Sequence, residues 1–370
     1  MIQKSKGRGL PGGCFAAIII VGLFFLMIIW DTVSHSDRMV ERTRAYHQAR
    51  GHEIIRMDDE RNRAISQARR IEHEIVRIDR YKPFVYGNSL VVMQETPSIT
   101  FTENFPRLDG ATAAFPVFAA IAQALYIGLD EYTAPEFITV SQTDAAYERL
   151  INGEIDIFFG AQPSRQQLEM AYRIGVELIM TPVAREAFVF FVHRDNPVND
   201  LSIEQIQDIY QRNITNWSQV DGRDEQILAF QRPENSGSQT IMLDLVMRDL
   251  PIAQPVIVEW MHMMSDVVHY VAINDYRNVS SAIGYSFRYF VTGMHPNDDI
   301  NILAINGVEP TIYNIQSGAY PFIINVYAVT AGSTNENVDI LIEWILSDQG
   351  QMFIELCGIV PIQGIVPISG

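Results

Sequence analysis

The sequence predicts an α/β fold, and three observations lead to this class. Apolar runs of strand length recur along the chain, at residues 136–140, 155–159, 176–180, 187–192 and 226–230. Segments with the apolar spacing of helices alternate with them, at residues 113–127, 143–152, 165–173, 202–211 and 236–248. An uncharged apolar run and a highly charged segment precede this region. Alternating strands and helices imply parallel sheets, which bind ligands beyond the carboxyl ends of their strands.

Composition limits the possible functions. The chain of 370 residues is long enough for more than one domain, and 48% hydrophobic with 19% charged residues is typical of a globular protein. After residue 82 there are 12 basic and 34 acidic residues. This acidic body would repel the phosphates of a nucleic acid, so we expect no nucleic-acid partner. A small anion is not excluded, because oriented N–H donors and one arginine can outweigh the distant charge.

Residues 14–30, CFAAIIIVGLFFLMIIW, carry no charge and predict a transmembrane helix. At the helical rise this run spans roughly 25 Å. A cleaved signal peptide is the alternative, but IIWDTVSHS is a poor cleavage site. Basic residues lie on both sides of the run, so they do not set its orientation. We expect an uncleaved single-span anchor after a cytoplasmic N-terminus of residues 1–13.

Residues 31–83 predict a helical stalk. Apolar positions from Ile54 to Ile78 follow alternating spacings of three and four, interrupted by Arg61. Such a stripe permits a dimeric coiled coil, and an amphipathic helix lying on the membrane or on the globular part is the alternative. Pro83 ends the helix and opens the globular domain, residues 84–370.

The stretch AFQRPENSGSQT, residues 229–240, has the form of an anion site. A helix beginning near Ser236 directs its unpaired N–H groups and its positive dipole end at the preceding loop. Gly237 lets a ligand approach the backbone, while Ser236 and Ser238 add hydroxyl donors. Arg232 offers a planar pair of donors to a tetrahedral anion. The alternative is structural, with Ser236 as a helix cap and Arg232 in a surface ion pair.

Two further helix starts have the same character. The stretch LDGATAAFP places Thr112 and the amide of Ala113 at the start of one helix. In SQTDAAYERL, Thr143 starts another helix after the predicted strand 136–140. Three helix N-termini rich in small and hydroxyl residues can converge on one oxyanion.

These motifs resemble those of a known family. From about residue 88 to the C-terminus the chain looks like the type II periplasmic binding fold, and within it like the phosphate-binding protein of the phosphate ABC transporter. The matching loops are DGATAAFP at 109–116 and RPENSGS at 232–238. The resemblance implies phosphate contacts at Thr112, Ala113, Thr143, Arg232, Ser236, Gly237 and Ser238.

One pocket residue departs from the family. The family holds an aspartate after its DFGA-like strand, where it accepts the proton of hydrogen phosphate, and here Gln162 stands in that region. Gln162 can accept a hydrogen bond but adds no charge against sulfate, so phosphate remains the expected ligand with weakened selectivity. Arg185 is a further pocket candidate, and an ion pair with a neighbouring acid is its alternative.

The resemblance also implies two lobes joined by a hinge. We expect lobe one at 84–183 and 303–370 and lobe two at 184–302, with crossings in TPVARE and LAINGVEP. The ligand then lies between Thr143 and the loop that begins at Arg232, and the lobes close over it.

The sequence therefore predicts a two-lobed α/β binding protein preceded by a transmembrane helix and a stalk. It would bind phosphate on the extracytoplasmic side and deliver it to ABC permease subunits, without a cofactor, a metal or catalysis. A membrane-tethered phosphate sensor that signals through a dimeric stalk is the alternative. A phosphate-ester hydrolase using Arg232 and Ser236 is a remote one, because no base or metal cluster accompanies them.

Overall fold

The computed structural model describes residues 78–362, except 249, 255–266, 269–270 and 272–280. These residues belong to one compact unit, Arg70–Gly370. No helix in this described part is long and apolar enough to cross a membrane. The predicted N-terminus, transmembrane span and most of the stalk lie outside it. At the end of the predicted stalk, Tyr81 is buried in the core of the domain.

The described strands belong to one large sheet and one small pair. They are β1 Leu108–Gly110, β2 Ile157–Gly160, β3 Ile179–His193, β4 Asp200–Leu201, β5 Leu228–Ala229, β6 Ala282–Phe287, β7 Ile300–Ile302, β8 Ala304–Ile305, β9 Ile323–Thr330 and β10 Val360–Pro361. The large sheet runs in the order β1-β2-β9-β3-β6-β5, with β7 and β10 also paired to β3. Strands β4 and β8 form the separate parallel pair.

The parallel sheets expected from the alternation of strands and helices are present only in part, because the large sheet is mixed. Strands β1 and β2 are parallel, as are β5 and β6. Strand β9 runs antiparallel to both β2 and β3, and β6 runs antiparallel to β3. The C-terminal strand β9 thus enters the sheet from far along the chain. A pairing of this kind depends on tertiary contacts that local periodicity does not contain.

Strand β3 belongs to both halves of the large sheet. Residues 176–180 and 187–192 were expected in separate strands, but the chain from Ile179 to His193 is one strand. Its first part pairs with β9, with a register shift between Pro182 and Ala184, and its last part pairs with β6 and β7. The predicted crossing TPVARE lies within this strand. Two groups of strands therefore meet along β3.

The second crossing of the chain between the two groups of strands comes after β8. Leu303 donates its N–H to Phe190 at 2.9 Å, and β8 pairs with β4. The chain joins the other group only at β9, where Ile323 pairs with Ala187. The segment between Ile305 and Ile323 therefore carries the chain across, and it includes part of LAINGVEP.

A helix is present in each of the five segments predicted to be helical, and among the described residues three further helices follow toward the C-terminus. In chain order the helices are α1 Phe115–Leu125, α2 Gln142–Ile151, α3 Arg165–Ile174, α4 Ile203–Gln211, α5 Gly237–Ile241, α6 Ile312–Gln316, α7 Asn337–Leu346 and α8 Asp348–Leu356. Ser164 and Ser202 start α3 and α4 with capping boxes, in which serine and glutamine side chains satisfy exposed backbone N–H groups. After α5 the chain continues as a π-helical turn, Met242–Met247. One expected strand, 136–140, is instead a 3-10 turn followed by a single bridge from Ile138 to Leu108.

An aromatic cluster packs around the middle of β3. The ring of Phe188 lies 5.6 Å from that of Phe190 in an edge-on arrangement, and both contact Tyr285 of β6. All three side chains are buried. Aromatic pairs of this kind contribute about 0.5–1.5 kcal/mol each beyond the burial of their area. The cluster therefore packs β6 against the middle of β3.

Candidate functional site

The loop 230–236 connects β5 to α5 and is shaped by hydrogen bonds to its backbone. The N–H of Arg232 donates to the Tyr285 hydroxyl at 2.9 Å and to Gln239 Oε1 at 3.0 Å. Ser236 is the N-cap of α5, and its Oγ accepts from the Gln239 N–H at 3.3 Å. The structural role expected as an alternative for Ser236 is thus present. Its hydroxyl hydrogen can still be donated to a ligand.

Ser238 has the feature that most strongly suggests a ligand. Its side chain is only 1% exposed, and its Oγ makes no hydrogen bond with any described residue. Leaving a buried hydroxyl unpaired costs about 1–3 kcal/mol. Because Ser238 lies in the first turn of α5, its hydroxyl lies beside N–H groups that have no partner within the helix. This arrangement is suited to an anion.

The start of α5 meets the start of α2 across the site. A Cβ atom on Gly237 would lie 3.1 Å from Thr143 Oγ1 and 3.4 Å from the Cβ of Ala161. A side chain at this position would therefore crowd the contact between the two helix starts. Thr143 is buried at the second position of α2. The structure thus brings together two of the three loops that the sequence singled out.

The third loop follows β1. Gly110 lies so close to β2 that a Cβ atom there would overlap the Phe159 carbonyl oxygen, and the Ala111 N–H donates to that oxygen at 2.8 Å. Thr112 and Ala113 then form a buried 3-10 turn that leads into α1. A small cavity is lined by both Ala113 and Ala161, so this turn is next to the meeting point of α2 and α5.

A buried carboxylate that the sequence analysis missed fixes the start of α2. Asp109 is fully buried and accepts from the N–H and Oγ of Ser141, both at 2.7 Å, and from the Gly110 N–H at 2.8 Å. Arg149 of α2 forms an ion pair with the same carboxylate. Asp109 therefore joins the end of β1 to both ends of α2. Its position next to Gly110 in the DGAT motif was the available signal.

Side chains of the β2–α3 loop bridge to the α5 region. Ser164 Oγ donates to Asn235 Oδ1 at 2.8 Å, and Asn235 Nδ2 donates to Gln166 Oε1 at 2.5 Å. Gln162 Nε2 donates to Asp244 Oδ2 at 3.1 Å. Asp244 is exposed, about two helical turns beyond Gly237. The Gln162 amide nitrogen is therefore bound to an acid beyond the start of the helix, whereas an acceptor for the anion was expected at that start.

Arg185 and its neighbour Glu186 face opposite sides of β3, because side chains alternate along a strand. Glu186 lines the cavity that Ala113 and Ala161 also line. Arg185 therefore faces away from this cavity. The alternative of an ion pair for Arg185 is also not realised with any described acid.

Glu186 is the second carboxyl group that the sequence analysis missed. It is 3% exposed and has a pKa raised to about 7 by burial, against the opposing effects of Arg288 and of the N–H groups of Ala187 and Tyr289. An acid with a pKa near neutrality beside a cavity is often functional. In the sequence Glu186 ends the predicted crossing TPVARE, directly before the apolar run 187–192, and a charge at this position was the available signal.

A larger cavity of about 240 Å³ lies elsewhere, between α4 and β5. Its walls include Tyr210, Ile227 and Gln231, and none of the residues predicted to contact an anion. In the described part of the chain, no group of His, Cys, Asp and Glu residues could hold a metal ion. The converging helix starts are therefore the stronger candidate site.

The mixed sheet has two groups of strands that share β3, and the helix starts of the candidate site converge between them. This architecture is that of a two-lobed binding protein. The family model described as PBP superfamily domain matches residues 106–349, and the chain belongs to this superfamily. The family expected from the two loops is confirmed at this level. The individual ligand contacts stay predictions.

Curated relatives match parts of the chain. Protein SphX of Synechococcus elongatus is 31% identical over 117 residues, 30% of this chain and 34% of that protein. The phosphate-binding protein PstS of Bacillus subtilis is 23% identical over 178 residues, 48% of this chain and 54% of that protein. A third relative, PstS of Borreliella burgdorferi, is matched over 66% of its length. The chain thus spans between about a third and two thirds of these relatives.

Solved structures show the same fold. A phosphate-bound putative phosphate ABC transporter substrate-binding protein from Clostridium perfringens is 22% identical, with a TM-score of 0.56 over 70% of this chain and 99% of that chain. An ABC-type phosphate transport receptor from Vibrio cholerae is 20% identical, with a TM-score of 0.51 over 69% and 99%. The expected two-lobed periplasmic-binding-protein-like fold is thereby confirmed. The transmembrane helix and most of the stalk lie outside the described residues.

Proposed function

We propose that this protein binds inorganic phosphate between its two lobes as an extracytoplasmic solute-binding protein. The observation that carries the proposal is the Ser238 hydroxyl, buried and without a hydrogen-bond partner in the described part of the chain. It lies in the first turn of a helix whose Gly237 approaches Thr143. A hydroxyl group held in this way needs an acceptor, and an anion is the acceptor that a helix N-terminus favours.

The donors around this point suit a tetrahedral oxyanion. Ser236 and Ser238 add hydroxyl groups to the free N–H groups of the first turn of α5, and Arg232 adds a guanidinium four residues before Ser236. Thr112 and the amide of Ala113 extend the donor set from the turn before α1. Several donors from separate elements match several anion oxygens, and this gives specificity for shape as well as charge. The acidic surface is not an obstacle, because charges beyond about 10 Å are largely screened.

Phosphate is the anion that the comparisons support. Two of the curated relatives are named phosphate-binding proteins, and one similar structure contains bound phosphate. The loop RPENSGS at 232–238, which carried the sequence prediction, has the strand–loop–helix context that such a site needs. The chemistry and the relatives therefore point to the same ligand.

The proposal extends to transport and to the membrane. The phosphate-loaded protein would deliver its ligand to ABC permease subunits, as the names of the similar structures suggest. Residues 14–30 would anchor it, with the binding domain outside the cytoplasmic membrane. Addition of a protease to spheroplasts, whose cytoplasmic membrane is intact, tests this arrangement. Cleavage of the domain is expected, and full protection would contradict it.

A phosphate sensor is the alternative within the same binding function. The heptad stripe between Ile54 and Ile78 favours it, because delivery alone does not need a coiled coil. The mass of the full-length protein in detergent separates the two functions. A dimer that dissociates when the stripe is interrupted by charged residues would favour sensing.

Calorimetry with the full-length protein tests phosphate binding directly. Phosphate is expected to bind, and Arg232→Ala is expected to weaken binding by about a hundredfold, as for loss of a charged hydrogen-bond donor. Arg223→Ala is the matched control, because Arg223 is an exposed arginine in the loop before β5. If neither phosphate nor sulfate produces a heat of binding, the proposal of phosphate binding is wrong, while the assignment of the fold is unaffected.

A further inference from the structure

A cavity of about 30 Å³ lies between the predicted anion site and strand β3. Ala113 and Ala161 form its wall on the side of the helix starts, and Glu186 lines it from β3. Asn325 also borders the cavity, but it pairs with Arg185 and so shares the sheet face opposite to Glu186. The remaining lining residues are small or apolar. A volume of this size accommodates about one water molecule, and therefore one oxygen atom of a phosphate.

The Glu186 carboxylate is held in place by backbone donors. Its Oε1 accepts from the Ala187 N–H at 2.8 Å, and its Oε2 accepts from the Tyr289 N–H at 3.1 Å. Arg288 Nε lies 3.8 Å from Oε1, too far for a good hydrogen bond. Each carboxylate oxygen has two lone-pair directions, so both oxygens can accept a further hydrogen bond.

Selectivity for phosphate requires an acceptor inside the site. At neutral pH phosphate carries a proton that it can donate, whereas sulfate carries none. Sulfate has no proton to donate to such an acceptor, so its oxygen would meet the acceptor without a hydrogen bond or be repelled by it, and sulfate would bind more weakly. Gln162 stands where such an acceptor was expected, but it is uncharged and its amide nitrogen donates to Asp244.

We propose that Glu186 is the residue that selects hydrogen phosphate, by accepting the proton of a P–OH group that enters this cavity. The inference rests on the proposed phosphate function. The largely apolar wall supports it, because an uncharged P–OH oxygen is buried there at less cost than a charged oxygen. A sulfate oxygen in the same place would meet the carboxylate with no hydrogen between them.

The charge state of Glu186 makes this selection sensitive to pH. Burial raises the pKa of Glu186 to about 7. Burial also raises the pKa of Tyr289 and that of Cys357, which lies near Tyr289, so neither group ionises near neutrality. Arg288 is the basic group that faces Glu186, with its Nε 3.8 Å from Oε1. Below neutral pH the protonated Glu186 becomes a donor, which suits sulfate.

Affinities of the full-length protein for phosphate and for sulfate, at about pH 6 and about pH 8, test the inference. Wild type is expected to prefer phosphate at the higher pH, and Glu186→Gln to reduce the ratio of the two affinities by about tenfold or more. Asp244→Asn is the control, because it removes the acid that binds Gln162 without touching the cavity. It is expected to leave the ratio unchanged.

Three results would separate the possibilities. Phosphate binding with an unchanged affinity ratio in Glu186→Gln overturns this inference alone. Absence of phosphate binding by wild type overturns the proposed function and the inference with it. If the variant does not fold, wild type decides: its sulfate affinity is expected to rise by about fivefold or more between about pH 8 and about pH 6, and a constant affinity overturns the inference.

Discussion

Gly237 and Thr143 lie so close together that a methyl group on Gly237 would be 3.1 Å from the Thr143 hydroxyl oxygen. The two residues are far apart in sequence and belong to the starts of α5 and α2. Their contact brings two helix N-termini to one point. Because each terminus is an electropositive end with free N–H groups, their convergence supports the proposal that an acidic protein holds an anion here.

Gly237→Ala is expected to weaken phosphate binding by about fivefold to tenfold, because the added methyl group forces the two helix starts apart. Gly237 does not have a positive φ, so alanine introduces no backbone strain there. The thermal midpoint should therefore change little, since alanine favours the helix. Calorimetry and a melting curve on the same preparation measure the two effects. A large loss of stability with an unchanged phosphate affinity would contradict the role of the Gly237–Thr143 contact in binding.

Ser238→Ala is expected to lower phosphate affinity by about tenfold while leaving the ligand-free protein equally stable or slightly more stable. The hydroxyl is unpaired among the described residues, so its removal costs the empty protein nothing. Ser286→Ala is the matched control, because Ser286 Oγ is also buried without a described partner but lies in β6. Equal losses of affinity in both variants would argue against Ser238 as a ligand contact.

Asp109→Asn is expected to destabilise the protein by about 2–4 kcal/mol and also to weaken phosphate binding. The substitution removes the charge that pairs with Arg149 and loosens the start of α2, where Thr143 lies. Asp156→Asn is the control, since Asp156 is a buried carboxylate paired with Arg107 and bonded to Ser333. Chemical denaturation should show comparable losses of stability. Only Asp109→Asn should change the affinity per folded molecule.

The raised pKa of Glu186 predicts how stability depends on pH. An acid with a higher pKa in the folded state holds its proton more tightly when folded, so its contribution to stability falls as the pH rises from 4.5 to about 7. The loss amounts to about 3 kcal/mol, by the free energy equivalent of the shift. Glu186→Gln does not ionise and should not show this fall. Urea unfolding of ligand-free wild type and variant at about pH 5 and about pH 8 measures the difference between them, and parallel pH curves would contradict the shifted pKa.

The helices and their starts were predictable because the signals are local. The spacing of apolar residues located α1 to α4 to within about two residues, and the serine before α5 marked its start. The loop RPENSGS was recognised for the same reason, since its arginine, glycine and serines are neighbours in the chain. The family followed from these short stretches and agrees with the superfamily match.

Strand directions and strand lengths were not predictable in this way. Glu186 lies in the predicted crossing between two expected strands. Only the pairing of β3 with β9 along its first part and with β6 along its last part shows that the crossing belongs to one strand shared by both groups. The antiparallel entry of β9 depends on residues far along the chain. Periodicity describes which face of a strand is buried but not which strand covers it.

The sequence by itself determined the α/β class, the helix starts and the residue types that can hold an anion. The tertiary structure alone decided that Gly237 meets Thr143, that Gln162 turns to Asp244 and that Glu186 lines the cavity beside Ala113. The physical reason is that helix caps and turns arise from bonds between near neighbours. The environment of a buried carboxyl or hydroxyl is instead set by elements that the chain reaches only after it has folded.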